Sequence, residues 1–141
     1  MTKNDSPDLS RFLKAQNLDY ESALAEIRSG HKRSHWIWYI FPQIQGLGYS
    51  EMSRFYAIRD REEAVAYMKH PVLSARLVAI SEALLQLDSN DAGEVMGYPD
   101  DMKLKSSMTL FSLVSDNPVF QNVLDKFFDG EKDRFTVEAM K

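Results

Sequence analysis

Apolar positions recur every three or four residues along almost the whole of this 141-residue chain, the period of helices that bury one face. Leu9, Phe12 and Leu13 form a first stripe, entered through Ser6 and Pro7, residue types suited to an N-cap and a first turn. Tyr20, Leu24 and Ile27 form a second, opened by Asp19 and closed by Gly30, where a left-handed residue would end a helix. Two short helices are therefore expected before residue 30. Ser50 is placed to cap a helix carrying Met52, Phe55 and Tyr56. The run Asp60-Arg61-Glu62-Glu63 has the spacing of a capping box ahead of Ala64, Tyr67 and Met68. His70 precedes Pro71, which disfavours helix at the histidine and lets a new helix start at the proline.

The clearest period belongs to Leu73, Leu77, Ile80, Leu84 and Leu87, spaced alternately by four and three. It predicts a central helix around residues 71–88, ended by the run Asp88 to Asp91. Asp91 and Glu94 frame a short turn closed by Gly97. After the Tyr98-Pro99-Asp100-Asp101 loop, Leu104, Met108 and Phe111 mark another helix. Asn117 and Pro118 open one with Phe120, Leu124 and Phe127 on its inner face and Gly130 at its stop, and Thr136 is placed to cap a last turn with Val137 and Met140.

Residues Trp36 to Phe41 suit a buried strand as well as a helix, but no partner strand is evident, so a short buried helix ended by Pro42 is expected. The one Asp-Gly pair, Asp129-Gly130, follows a helical run and does not join two strands. The fold class expected is all-α, a single compact multi-helix domain over residues 1–141.

With 44% hydrophobic and 27% charged residues the composition is that of a packed globular chain. The 17 basic and 21 acidic residues give a net charge of -4 and are mixed along the chain, which argues against nucleic acid as a partner. The absence of cysteine excludes disulfides and thiolate catalysis. No His-x-x-x-His pair or carboxylate cluster suggests a metal, and no sequence signature names a cofactor. The N-terminal stretch lacks the apolar core of a secretory signal. The most apolar run, Ser34 to Gly48, is interrupted by Pro42, Gln43, Gln45, Gly46 and Gly48, so a cytoplasmic protein without membrane contact is expected.

That same run is the first candidate site. Gly46 and Gly48 precede the cap Ser50, an arrangement that suits either an anion at backbone amides or a tight turn between buried helices. It lacks the lysine of a phosphate loop. Trp36, Trp38, Tyr39 and Phe41 suit core packing, and the tryptophans also suit stacking on a ligand ring. His35 and His70 are the imidazoles in structured context, fitted either to proton transfer or to capping and internal hydrogen bonds. In DDMKLKSSMTLF, Lys103, Ser106, Ser107 and Thr109 make either a polar ledge for a phosphate or a helix face whose hydroxyls bond back to the preceding turn. Arg76 is either a solvated charge or, if its face borders the aromatic element, a fork for a carboxylate or phosphate.

The segments GHKRSHWIWYIFPQIQGLGYSEMSRFYAI, EEAVAYMKHPVLSARL and DDMKLKSSMTLF, with the FFDGEKD run near Gly130, closely resemble a family of small bacterial proteins, domain-of-unknown-function family 1810. The resemblance spans nearly the whole chain and implies a compact, nearly all-helical fold, but brings no established reaction or catalytic residue. Ser74 stands where the family usually has glycine. Family members often carry a calpastatin label, for which this chain offers no support, since such inhibitors are disordered.

Two functions are expected to compete. In the first, the chain binds or hydrolyses a phosphorylated, nucleotide-like small molecule, with ADP-ribose derivatives suggested by a loose likeness of pattern to helical ADP-ribose-associated proteins. A ring would lie on Trp36 or Trp38, with Gln43, Gly46, Gly48, Arg76, Lys103, Ser106 and Ser107 around it and His35 or His70 moving a proton. In the second, an aromatic and Met-rich surface docks a protein partner without catalysis.

Overall fold

A computed structural model of the chain describes residues 7–141. Among these residues nine helices follow one another: α1 (Ser10–Ser29), α2 (Ile37–Ile40), α3 (Glu51–Phe55), α4 (Arg61–Lys69), α5 (Pro71–Leu85), α6 (Ala92–Met96), α7 (Asp100–Ser112), α8 (Val119–Phe128) and α9 (Arg134–Ala139). The fold is all-α. The extended pairing among the described residues is an isolated parallel bridge between Ile44 and Ile58.

The two helices expected before residue 30 are one. Phe12, Gln16, Tyr20, Ala23, Leu24 and Ile27 are all buried on α1, so the inner stripe runs unbroken through a polar residue. Gln16 is tolerated there because its amide Nε2 donates to the Tyr39 carbonyl at 2.8 Å and to the Tyr67 hydroxyl at 2.9 Å. Asp19 does not open a helix; it accepts the Tyr39 hydroxyl. Leu9 takes the N-cap position, and the expected cap Ser6 lies outside the described residues.

Other boundaries follow capping chemistry. Ser50 accepts from the Ser53 amide, Asp60 from that of Glu63, and Asp91 from those of Gly93 and Glu94. His70 Nδ1 faces the amides of Val72 and Leu73 at 3.2 and 3.3 Å and caps α5, which begins at Pro71 as expected and stops at Leu85. Asp100 and Asp101, read as loop, form the first turn of α7. Asp133, not Thr136, caps α9: its carboxylate accepts both the amide and the hydroxyl of Thr136, at 3.0 and 2.6 Å.

Helix α5 is central, packed on α1, α4 and α8, while α7 packs on α6, α8 and α9 and touches α2. Aromatic rings run through the core, with Tyr67 of α4 meeting both Phe12 of α1 and Phe111 of α7 at centroid distances of 5.2 Å, and Phe111 meeting Phe120 of α8 at 6.0 Å. Residues 37–40 form the short buried helix expected, and Phe41 and Pro42 after it are buried as well. No helix of the described residues is long and apolar enough to cross a membrane.

Candidate functional site

Between α2 and α4 the chain makes a loop that carries α3 on its rim. The loop is closed at its base, where the Ile58 amide donates to the Gln43 carbonyl at 2.8 Å and the Gln45 amide to the Ile58 carbonyl at 2.9 Å. Arg11 ties its later half to α1, giving Nε to the Phe55 carbonyl at 2.8 Å and Nη2 to that of Ala57 at 2.9 Å. The same guanidinium meets the buried Glu63 carboxylate at 3.1 Å, and that carboxylate also accepts the Arg59 amide at 2.8 Å. A loop with both ends pinned keeps a cavity open beneath it.

That cavity has a volume of about 490 Å³, within the range of small-molecule sites. Trp38 and Tyr56 line it from the aromatic side, Gln43 and Ser53 supply polar groups, and Arg54 supplies a guanidinium. Gly46 and Gly48 form its turn. Gly46 has φ +103°, and a Cβ there would stand 2.9 Å from the Phe135 ring of α9. At Gly48 a Cβ would stand 2.8 Å from the Ser53 hydroxyl oxygen and 2.9 Å from its Cβ, so the loop packs on itself closely at this point.

The Lys103 ammonium of α7 lies 5.1 Å from the centre of the Trp38 ring. It also pairs with Asp100 at 3.1 Å, while the other oxygen of Asp100 meets Lys32 at 2.7 Å, and Lys32 lies over Trp36 at 4.9 Å. Two lysines thus share one carboxylate beside two indoles.

The sequence-nominated residues divide. Trp38, Gln43, Gly46 and Gly48 come together around the cavity, with Lys103 against the Trp38 ring. Trp36 is buried, and its Nε1–H donates to Glu26 at 2.9 Å, so its indole belongs to the core. His70 is committed to capping α5 and does not line the cavity. His35 is exposed, and it too lies outside the lining. Arg76 faces α1, with its guanidinium 3.0 Å from the Asn17 amide oxygen and 5.5 Å from the Tyr20 ring centre.

The polar ledge of α7 faces inward. Ser106 and Thr109 donate to the carbonyls of Met102 and Lys105 one turn back, and the fully buried Ser107 hydroxyl has no hydrogen-bond partner among the described residues. The expected anion cradle at α3 is likewise taken up internally, since Ser50 caps a helix of only five residues. Three or more potential metal ligands are nowhere grouped among the described residues.

Sequence reasoning passed over Arg54, Tyr49 and Tyr56. The available signal lay in α3 itself, whose Met52 and Phe55 look like a core stripe yet are 39% and 60% exposed. No α3 residue is buried: Arg54 lines the cavity, and Phe55 is exposed.

Comparison with known proteins places the chain in a family. Residues 6–140 match the family described as "Protein of unknown function (DUF1810)". The chain belongs to the DUF1810 family. Among solved structures it is similar to the conserved hypothetical protein Rv1873 from Mycobacterium tuberculosis, with 43% sequence identity, a TM-score of 0.92, and coverage of 94% of this chain and 96% of that one. No curated protein matches.

Proposed function

We propose that this DUF1810 protein binds a small molecule with a planar ring and an anionic group in the cavity beneath the 43–58 loop. One observation carries the reading: Trp38, the wall of a cavity of about 490 Å³, has the Lys103 ammonium at 5.1 Å from its ring centre, and Arg54 lines the same space. An indole offers stacking area, and Arg54 in the lining favours a negative charge beside it. Binding is proposed without hydrolysis, because neither His35 nor His70 lines the cavity and, among the described residues, no nucleophile and base lie there in hydrogen-bonding geometry. Phosphorylated nucleosides and ADP-ribose are the first compounds to test.

The test is a thermal-shift screen of wild type and Trp38→Ala against nucleosides, nucleotides, ADP-ribose and sugar phosphates. A ligand at a hundred times its Kd adds about 2.7 kcal/mol, a shift of several degrees for a domain of this size. A shift seen in wild type and lost in the folded variant supports the site. A blank screen overturns it and favours the second reading, a protein-docking surface, which draws support from the exposure of Tyr49 just before α3 and of Met52 and Phe55 on it.

A further inference from the structure

Arg54 lines two cavities. Besides the space over Trp38 it borders a second cleft of about 390 Å³, whose other cationic residues are Arg11 and Arg59, and Ala57 is common to both linings. The three guanidiniums differ in what already holds them. Arg11 is saturated by the Phe55 and Ala57 carbonyls and by Glu63. The Arg59 side chain is 64% exposed and meets Glu63 only at 3.5 Å. The Arg54 guanidinium, which is exposed, has no acceptor among the described residues.

Two of the acidic groups at this face are already occupied. Glu63 is buried between Arg11 and Arg59, and the Asp8 carboxylate accepts the Ser10 amide at 2.9 Å. The lining of the second cleft itself carries three arginines and one carboxylate, Asp8, in a chain of net charge -4. A planar guanidinium fork without a protein acceptor suits phosphate oxygens.

We infer that Arg54 joins the two cavities into one elongated site, taking an aromatic ring over Trp38 that carries a diphosphate running past Arg54 towards Arg59. The inference rests on the proposed reading of the Trp38 cavity as a ligand site and adds the class of ligand: a ring bearing a polyanion, not a ring bearing a single charge or none.

Amide chemical-shift titrations of the full chain with adenosine, ADP and inorganic pyrophosphate separate the two ideas. Pyrophosphate is expected to shift the amides of residues 53–59 saturably, and ADP to bind at least about tenfold more tightly than adenosine. In Arg54→Gln the ratio of ADP to adenosine affinity should collapse towards one, and in Arg59→Gln it should fall by a smaller factor. Adenosine binding near Trp38 with no pyrophosphate response and no ADP preference overturns this inference alone. Pyrophosphate binding with adenosine silent overturns the stacking role of Trp38 and with it the joined site. Silence from all three probes overturns both readings.

Discussion

The Glu26 carboxylate near the end of α1 accepts the indole Nε1–H of Trp36 at 2.9 Å. The same carboxylate accepts the backbone amides of Arg33 and Ser34, at 2.7 and 2.9 Å, and the Ser34 hydroxyl at 2.6 Å. One acidic side chain therefore organises the turn that delivers the chain from α1 into the aromatic element.

Partial burial pushes the Glu26 carboxyl up, but the hydrogen bonds from Ser34, Arg33 and Trp36 together outweigh it and hold the group down at about 2 against an ordinary 4.5. A folded-state value below the unfolded one contributes stability above pH 4.5, and that contribution fades as the pH falls towards 2. Glu26→Gln should cost about 1 to 2 kcal/mol at neutral pH, allowing for solvent screening. The difference from wild type should shrink between pH 4.5 and 2.5, read from urea midpoints at each pH. A constant difference across that range would show that the charge on Glu26 contributes nothing.

Glu63 is the buried anion beneath the loop, with a side chain 1% exposed between Arg11 and Arg59. Removing it leaves the Arg59 amide without its acceptor and Arg11 with an unmatched charge. Glu63→Ala is expected to lose about 3 kcal/mol. Because Arg11 also holds the Phe55 and Ala57 carbonyls, hydrogen exchange should rise at residues 55–59 before it rises in α5. Uniform exchange throughout would mean that the anion supports the whole core and not the loop.

Much of the fold is legible in the sequence because caps and stripes obey local rules: Ser50, Asp60, His70 and Asp91 each end up where their side chains serve a helix start. Legibility fails where a tertiary partner changes the meaning of a residue. Asp19 reads as the start of a second helix, yet α1 runs on unbroken, and the buried amide of Gln16 just before it is satisfied by Tyr39 and Tyr67, which are 23 and 51 residues away. Thr136 reads as a cap, whereas Asp133 holds it inside the helix. The site divides in the same way. The Gly46 and Gly48 turn is local and visible in sequence. The Lys103 approach to Trp38 and the role of Arg54 depend on how α7 and the loop settle around α2.

Ser107 illustrates the cost of reading a hydroxyl as a ligand group. Its oxygen is buried on α7 and has no partner among the described residues, so the folded state desolvates it without return. Ser107→Ala is expected to be neutral or to stabilise by up to about 1 kcal/mol, with no change in any ligand-induced thermal shift. A loss of more than about 1 kcal/mol would show that the hydroxyl is satisfied in solution, for example by a buried water.

Gly46 links the candidate site to the end of the chain, because Phe135 of α9 lies against its α-carbon. An alanine there meets two obstacles: φ +103°, which L residues rarely adopt, and the Phe135 ring at 2.9 Å from the new methyl. Gly46→Ala should cost about 1 to 3 kcal/mol. The double variant with Phe135→Ala separates the causes. If the ring is the obstacle, the alanine at 46 costs almost nothing in the Phe135→Ala background. If the backbone is, the full cost persists there. The second outcome is expected, since Phe135 is 44% exposed and its ring can turn outward, whereas the loop is pinned at Gln43, Gln45 and Ile58 and cannot move φ without breaking those bonds. The same strain should pull the loop away from Trp38, so Gly46→Ala should weaken any ligand that Trp38→Ala abolishes.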